Sequence, residues 1–362
     1  MTNDKTNIKA YTRQELRDTI AALGEPSYRA DQIHRWLFSD RVTDFEKMKN
    51  INASLRDKLS TEYFIPSCYL KKEKTEPASE QLLKTSKFLV GLHDDEMVET
   101  VLIPSPDRHT VCVSSQVGCP LRCTFCATGY MGFTRNLLAS EIVEQVQLVN
   151  ERLGERSPGN HLTNIVFMGM GEPLLNLKNV FEAIETLTNQ TYNFSFSRKR
   201  ITISTVGLIP QIGEIARSGI STRLAVSLHA ADQEKRTSLI PVAKDHNLEN
   251  LRHALHEYAD MVKEPVTLVY MLIEGVNDSD KDAIKLARFA QGFLCKINLI
   301  DYNCIVNMKF NPVKAEKRDR FIHTLVNAGA HVTVRKSQGA SIDAACGQLA
   351  LQKKNKTASR PY

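Results

Sequence analysis

The sequence predicts an α/β fold, a partial (β/α)6 barrel preceded by a small helical accessory domain. Strand-like and helix-like segments alternate over most of the chain, whereas residues 12–63 show helical periodicity alone. The length of 362 residues exceeds one usual domain of about 100–200 residues. Apolar residues make up 42% and charged residues 24%, and no apolar run reaches the roughly 18–20 residues of a membrane span, so no membrane contact is expected.

The helical segment comes first. Apolar residues recur at helical spacing through residues 12–63, and Gly24 and Pro26 break the pattern. From about residue 81 the pattern becomes strand-like, in residues 81–91 and 97–104. We therefore expect a small helical accessory domain over residues 1–90.

The remaining elements alternate strand and helix. Seven strand-like segments are separated by helical ones; the strands are predicted at 110–115, 163–171, 199–205, 222–230, 265–273, 296–303 and 331–337. Such repetition implies parallel strands joined by right-handed crossovers. Six units fall short of the eight of a closed barrel, so an open barrel is expected over residues 91–349, with a doubly wound sheet as the alternative. Residues 350–362 are predicted to be a basic tail.

Charge permits a polyanionic partner without proving one. The net charge is +6, from 47 basic and 41 acidic residues. Two basic clusters stand out, and solvated surface charge is the alternative explanation for each. They are Arg198, Lys199 and Arg200, and Lys353, Lys354, Lys356 and Arg360. The first residues contain no apolar signal segment, which predicts a cytoplasmic protein with reduced thiols.

Four of the eight cysteines lie within fifteen residues. Cys119, Cys123 and Cys126 have C-x3-C-x2-C spacing in a loop that follows the first barrel strand, whereas Cys112 lies in that strand. Three convergent thiolates favour zinc or an iron–sulfur cluster. A structural zinc site needs four ligands, whereas a cluster with three keeps one iron open for a substrate. Zinc with Cys112 or a distant histidine as fourth ligand, or buried inert cysteines, are the alternatives.

The cysteine motif, with Phe125 before its last cysteine, resembles that of the radical S-adenosylmethionine (SAM) superfamily. Four segments are similar, more narrowly, to the RNA adenine methyltransferases of the RlmN/Cfr family; they are residues 112–119, 168–174, 227–229 and 343–349. The similarity extends from residue 24 to residue 349. It implies a partial (β/α)6 radical-SAM barrel, one 4Fe-4S cluster held by the three cysteines, and SAM at its fourth site, with two SAM molecules consumed per turnover.

The resemblance also implies the SAM contacts. They are Gly171, Glu172, Ser204, Ser227, Leu228, His229 and Asn303. Independently of the family, each lies at the carboxyl end of a predicted strand, where α/β barrels place their sites. The alternatives are an ordinary glycine turn at Gly171, a structural role for His229 and a helix cap at Asn303.

Three residues are catalytic by the same resemblance. Cys346 receives a methyl group from one SAM, and a radical made from a second SAM activates that methyl group for addition to adenine C2. Cys112 then releases the product by forming a disulfide with Cys346. Glu99 is the proton acceptor, although a charge in an alternating strand is otherwise solvent-facing. Cys68, Cys295 and Cys304 carry no motif and are predicted to be buried small residues.

The resemblance implies 23S ribosomal RNA and transfer RNA as substrates, with a flavodoxin or ferredoxin as electron donor, and a monomer is expected. The accessory domain over residues 1–90 is then expected to bind the RNA through its phosphates. Segments 343–346 and 199–204 favour methylation at C2 over the C8 methylation of Cfr-type relatives. A non-catalytic, zinc-stabilised RNA-binding module is the alternative outside this class.

Overall fold

The computed structural model describes five stretches of the chain, which are residues 5–77, 83–190, 196–305, 308–335 and 338–351. The tail predicted at 350–362 lies outside the described residues beyond Leu351. In the described part of the chain, no helix is long and apolar enough to cross a membrane.

The chain begins with a small helical unit. Its elements are β1 (Thr6–Asn7), α1 (Arg13–Ala22), α2 (Tyr28–Phe38), α3 (Ala53–Glu62) and β2 (Tyr63–Phe64). Thr12 and Glu15 form a capping box that starts α1, and the chain leaves the helical conformation at Gly24, where φ is +81°. A buried ion pair of 2.6 Å between Lys9 and Glu144 ties this unit to the rest of the protein.

Four antiparallel strands follow. They are β3 (Tyr69–Thr75), β4 (Ser86–Gly91), β5 (Met97–Ser105) and β6 (Arg108–Cys112), each hydrogen-bonded to the next. The sequence patterns did not predict β3. The domain boundary proposed near residue 90 stays a prediction, but β4 and β5 pair across it, so it falls inside a continuous sheet.

The register of these strands divides their side chains between two faces. Lys72 lies opposite Leu89, which lies opposite Glu99, so these three positions share one face. Phe88 and Val90 alternate with Leu89, point to the other face and are buried in the main core. Glu99 therefore lies on the face away from this apolar packing.

A short ribbon interrupts the barrel after β6. It consists of β7 (Gln116–Gly118), α4 (Ala127–Met131) and β8 (Phe133–Asn136), with β7 and β8 antiparallel. The three cysteines of the C-x3-C-x2-C motif lie in the connection between β7 and α4, in agreement with the sequence prediction.

Strand and helix then alternate as predicted. The strands are β9 (Asn164–Phe167), β10 (Ile201–Thr205), β11 (Arg223–Ser227), β12 (Val266–Leu272), β13 (Cys295–Asp301) and β14 (Val332–Arg335). The helices are α5 (Ala139–Arg156), α6 (Leu177–Thr188), α7 (Ile209–Arg217), α8 (Gln233–Leu239), α9 (Leu248–Val262), α10 (Asp280–Ala290) and α11 (Ala315–Asn327).

The strand order decides between the two architectures that the sequence permits. The ten-stranded sheet runs from β14 through β13, β12, β11, β10, β9, β6, β5 and β4 to β3, and its parallel strands follow chain order without reversal. Right-handed crossovers that all step in one direction place their helices on one face, and the sheet curls into an open barrel. The doubly wound alternative is wrong, because it requires a reversal of strand order.

Candidate active site

The cysteine loop is held by its own backbone. The amide of Cys119 donates to the carbonyl of Gly132 at 2.8 Å, and that of Cys126 donates to Cys123 at 3.2 Å. Gly118 has a φ of +77°, and a Cβ there would lie 2.0 Å from the Gly132 carbonyl oxygen. Only glycine fits this approach, which brings β7 and α4 together around the three thiols.

One group of three potential ligands lies outside the cysteine motif. Among the described residues, His93, Asp94 and Glu141 form a His/Cys/Asp/Glu group whose ligand atoms all lie within 4.8 Å of one another. The three motif thiols are soft ligands of the kind that zinc and iron–sulfur clusters prefer. With three protein ligands, either group would keep one coordination position open.

Burial suppresses ionisation of these thiols. It raises the pKa of Cys119 to about 12 and raises those of Cys123 and Cys126 above their usual range. A thiolate needs a positive partner in such surroundings, and a metal bound by the three sulfurs would supply it. The group of His93, Asp94 and Glu141 is instead occupied by Arg135, which pairs with both carboxylates.

His229 joins the cysteine loop to the barrel. Its Nδ1 accepts a hydrogen bond from the Met271 amide at 3.1 Å, and its ring packs edge-on against Phe125 with centroids 4.7 Å apart. Burial first, and Arg236 second, lower the pKa of His229 to about 3, so the ring is neutral. The Nδ1 atom thus has a structural hydrogen bond, as the alternative of a structural role for His229 expects. The contact of His229 with SAM stays a prediction.

Glu172 is buried and braces two strand ends. Its carboxylate accepts hydrogen bonds from the amides of Leu174 at 3.1 Å and Val206 at 2.9 Å. Burial raises its pKa to about 7. A Cβ at Gly171, where φ is +102°, would lie 2.6 Å from Gln116, so the glycine allows the ends of β7 and β9 to meet.

The other predicted SAM contacts lie at the same end of the barrel. Ser204 is the penultimate residue of β10, Ser227 is the last residue of β11, and Leu228 follows it. Asn303 follows β13 and donates through Nδ2 to the carbonyl of Cys346 at 3.2 Å. The helix-cap alternative for Asn303 is wrong, because Lys314 occupies the N-cap of α11.

The segment that carries Cys346 lies across this end of the barrel. The amide of Ala127, next to Cys126, donates to the Gly347 carbonyl at 2.8 Å. Thr128 donates to the carbonyl of Leu349 at 2.6 Å. Together with the Asn303 contact, these bonds hold the Cys346 segment between the cysteine loop and the end of β13.

Cys112 and Cys346 line one small cavity, together with Ile103 and Met168. Its volume of about 20 Å³ is enough for roughly one water molecule. All eight cysteines are unpaired. Burial raises the pKa of Cys112 to about 12, and Cys346 adds to the effect. The structure thus brings together two thiols from distant parts of the sequence, without a bond between them.

Glu99 is buried, unlike an ordinary solvent-facing charge in a strand. Lys87 donates to its Oε1 at 2.9 Å and to the Asp343 carbonyl at 2.9 Å, while the Ala350 amide donates to its Oε2 at 3.0 Å. Burial raises the pKa of Glu99 above its usual range, and Lys87 offsets part of the shift. Glu99 therefore contacts the Cys346 segment directly at Ala350 and, through Lys87, at Asp343.

Sequence patterns missed two cations near the site, the partly buried Lys87 and the fully buried Arg236. Both lie among ordinary polar residues and have no motif, so no local signal distinguishes them from solvated charges. Among the other cysteines, Cys68 is buried as expected and Cys295 is partly buried. Cys304 is exposed, which contradicts its predicted burial, because it follows Asn303 in the connection outside the sheet.

The predicted basic cluster of Arg198, Lys199 and Arg200 is exposed and immediately precedes β10. It therefore lies at the amino end of the strand, whereas Ser204 lies near the carboxyl end. The second cluster, in the tail, lies outside the described residues. Lysines of β3 are closer to the Cys346 segment: Lys74 pairs with Asp343 at 3.8 Å.

An open parallel barrel with three thiols in a loop at the carboxyl ends of its strands defines a radical SAM enzyme. The model of the Radical SAM superfamily matches residues 113–287, and that of the ribosomal RNA large subunit methyltransferase N-terminal domain matches residues 6–65. The crystal structure of a radical SAM methyltransferase from Sphaerobacter thermophilus is 41% identical, with a TM-score of 0.84 over 95% of this chain and 99% of that one.

Two curated relatives identify the family within the radical SAM enzymes. A probable dual-specificity RNA methyltransferase RlmN from Chlorobium phaeobacteroides (strain BS1) is 87% identical over 100% of both chains. A protein of the same description from Chlorobaculum tepidum is 54% identical over 96% of this chain and 94% of its own. The chain belongs to the RlmN family, which confirms the resemblance drawn from its motifs.

Proposed function

We propose that this protein methylates C2 of an adenine in the peptidyl-transferase region of 23S ribosomal RNA, and the adenine that follows the anticodon in some transfer RNAs. The curated relatives are described as dual-specificity RNA methyltransferases, which supports RNA as the substrate. The observation that carries the chemistry is the shared cavity of Cys112 and Cys346 beside the cysteine loop. A non-catalytic, zinc-stabilised RNA-binding module would not require Cys112 and Cys346 to lie together beside the three motif cysteines.

Adenine C2 lies between two ring nitrogens and is electron-poor, so it does not attack an ordinary electrophilic methyl group. A 4Fe-4S cluster at Cys119, Cys123 and Cys126 with SAM would supply the methyl group and the radical that activates it. The strand-end residues from Gly171 to Asn303 named above would bind SAM. Asn303 donates a hydrogen bond to the backbone carbonyl of Cys346 and thereby holds this residue at the same end of the barrel.

Cys346 accepts the methyl group, which then loses one hydrogen atom to the radical made from the second SAM, and the resulting methylene carbon bonds to C2. Glu99 takes the proton from C2, since its raised pKa makes it a stronger base than an exposed carboxylate, and the unpaired electron of the adduct would return to the cluster. Cys112 attacks the Cys346 sulfur and a disulfide forms; the electron pair of the broken sulfur–carbon bond stays on the methylene carbon, which takes up the proton that Cys112 gives up and leaves as the methyl group of the base. The small cavity keeps Cys112 away from other thiols until that step.

Glu99→Gln is expected to lower methylation by about 100-fold or more, because the amide cannot accept the proton. For the wild type, the raised pKa of Glu99 predicts that the rate falls as pH drops through a value above 4.5, the ordinary pKa of glutamate. Methyl transfer from labelled SAM to RNA measures both. The control is Asp95→Asn at an exposed position in the hairpin before β5. Full activity of Glu99→Gln would remove Glu99 from the mechanism.

RNA is proposed to reach the site along β3. Lys71, Lys72 and Lys74 are exposed on this strand, which is the edge of the sheet, and Lys72 shares a face with Glu99. Lysines bind phosphates by charge, and an edge strand leaves room for an extended RNA backbone. The helical unit at residues 5–65, which the ion pair between Lys9 and Glu144 joins to the rest of the protein, would add further contacts to the RNA.

Lys71→Ala combined with Lys72→Ala is expected to weaken RNA binding, whereas Lys74 is retained because it pairs with Asp343. Loss of two phosphate contacts should lower the slope of log affinity against log salt by about 1.5. Fluorescence anisotropy with a labelled RNA hairpin at several salt concentrations measures it. Lys199→Ala with Arg200→Ala is the matched control at the amino end of β10. If the control loses affinity and the β3 variant does not, the RNA path is wrong.

The function itself is tested with anaerobically reconstituted protein, SAM, a chemical reductant and in vitro transcribed RNA. Mass analysis of digested nucleosides should find 2-methyladenosine in both the ribosomal and the transfer RNA fragments. 8-Methyladenosine would instead place the protein with Cfr-type relatives, and no methylated nucleoside would reject the proposal. A flavodoxin or ferredoxin is the proposed electron donor in the cytoplasm, and the protein is proposed to act as a monomer.

A further inference from the structure

Arg236 is a fully buried cation at the base of the site. It lies in α8 and has 0% exposure, although arginine is among the largest side chains. Its Nη1 donates to the carbonyl of Ser227 at 3.0 Å and to that of Leu228, and its Nη2 donates to the carbonyl of Val206. The guanidinium thereby joins the ends of β10 and β11, where SAM is proposed to bind.

In the described part of the chain, no carboxylate forms an ion pair with Arg236. Neighbouring acids pair with other cations: Asp232 with Lys285, and Asp282 with Lys235. Among the ion pairs of the described residues, none includes Arg236. Burial lowers the pKa of Arg236 to about 10, so it is charged at neutral pH. A buried charge without a counter-charge is costly, which points to a negative partner that binds there.

The cysteine loop packs against the helix of Arg236. Leu239, at the end of α8, belongs to the same buried apolar cluster as Cys123 and Phe125. The amide of Thr124, next to Cys123, also donates to the carbonyl of Leu239, the last residue of α8, at 3.0 Å. The helix of Arg236 and the cysteine loop are therefore in direct contact.

We infer that Arg236 is a positioning residue with two tasks: it is the fixed counter-charge of the cluster held by Cys119, Cys123 and Cys126, and it fixes the ends of β10 and β11. The inference rests on the proposed function only for the presence of the cluster. A cluster with three thiolate ligands is anionic and gains a further negative charge on reduction. A fixed cation stabilises the reduced form more than the oxidised form, and so raises the reduction potential.

The test compares three substitutions at this position. Arg236→Lys keeps the charge, Arg236→Gln keeps a hydrogen-bond donor without charge, and Arg236→Met removes both. The potential of the reconstituted cluster is measured by a redox titration followed by electron paramagnetic resonance, without RNA or turnover. The matched control is Lys281→Met, which removes one exposed positive charge from α10.

In Arg236→Gln we expect at least a tenfold smaller equilibrium constant for one-electron reduction, which corresponds to about 59 mV toward more negative potential. Arg236→Lys and Lys281→Met should stay near the wild-type potential. Thermal unfolding of the cluster-free proteins should rank Arg236→Met as the least stable, because three carbonyls lose their donor. If Arg236→Met does not fold, the Lys and Gln pair decides the charge role.

A wild-type potential in Arg236→Gln with full iron content overturns the counter-charge role. Equal shifts in Arg236→Lys and Arg236→Gln also overturn it, because charge would then not be the cause. Unchanged unfolding temperatures in all three variants overturn the positioning role. Failure of the proposed function has a different signature, which is a wild-type protein that binds no cluster or a cluster-loaded protein that methylates no RNA.

Discussion

Cys112→Ala is expected to accumulate a covalent bond between Cys346 and RNA. The variant keeps the methyl carrier and the cysteine loop, so the reaction should proceed as far as the adduct. It lacks the thiol that attacks the Cys346 sulfur, and its cavity of about 20 Å³ has little room for a substitute thiol. Methylated RNA should fall below detection while protein-bound nucleotide approaches one per chain.

The measurement is direct. Cys112→Ala is isolated from cells, digested with nuclease and protease, and searched by mass spectrometry for a nucleotide on the peptide that contains Cys346. Cys346→Ala should keep the cluster and carry neither a methyl group nor a nucleotide, since the carrier is absent. Cys295→Ala, at the amino end of β13, is the matched control and should behave like wild type. A fully active Cys112→Ala free of RNA would reduce Cys112 to a strand residue.

Each of Cys119→Ala, Cys123→Ala and Cys126→Ala is expected to abolish cluster binding and SAM cleavage. An iron–sulfur cluster held by three cysteines has no spare protein ligand among them. Iron content should fall to near zero, and the visible colour of the reconstituted protein should disappear with it. Fold and RNA affinity should be retained, because neither depends on the loop thiols.

Iron and sulfide analysis, visible absorption and the yield of 5′-deoxyadenosine from SAM check this prediction. Cys68→Ala is the control, because Cys68 is buried in the core away from the motif. Full iron occupancy in any of the three variants would contradict the ligand set. One bound zinc per wild-type chain, with a colourless protein after anaerobic reconstitution, would restore the zinc alternative.

Local sequence patterns were enough for several features. The alternation of strand and helix, the loop that carries the three cysteines, and the placement of Ser227, His229 and Asn303 at strand ends all follow from spacing over a few residues. Such features depend on local backbone preferences and on the spacing of apolar residues. Both can be read from a single short segment of the sequence. The family followed from motifs in the same way.

Tertiary structure decided what depends on contacts between distant segments. The same alternation suits a barrel or a doubly wound sheet, and only the pairing of strands in chain order distinguishes them. The carboxylate of Glu99 is buried against Lys87 from the neighbouring strand and the amide of Ala350. The alternation of residues in β5 alone could not show whether Glu99 is buried or exposed. Arg236 has no motif because its partners are backbone carbonyls, which leave no trace in the sequence of a helix.

The meeting of Cys112 and Cys346 is the clearest case. By itself, the sequence determined that the chain has a thiol in the first barrel strand and another near its last described residues. Only the curvature of the sheet brings the last segment back across the strand ends, where Asn303, Ala127 and Thr128 hold it. The physical reason is entropic. Bringing two residues together that are far apart in the sequence costs conformational entropy, and this cost is offset by packing contacts throughout the barrel, which no single segment of the sequence contains.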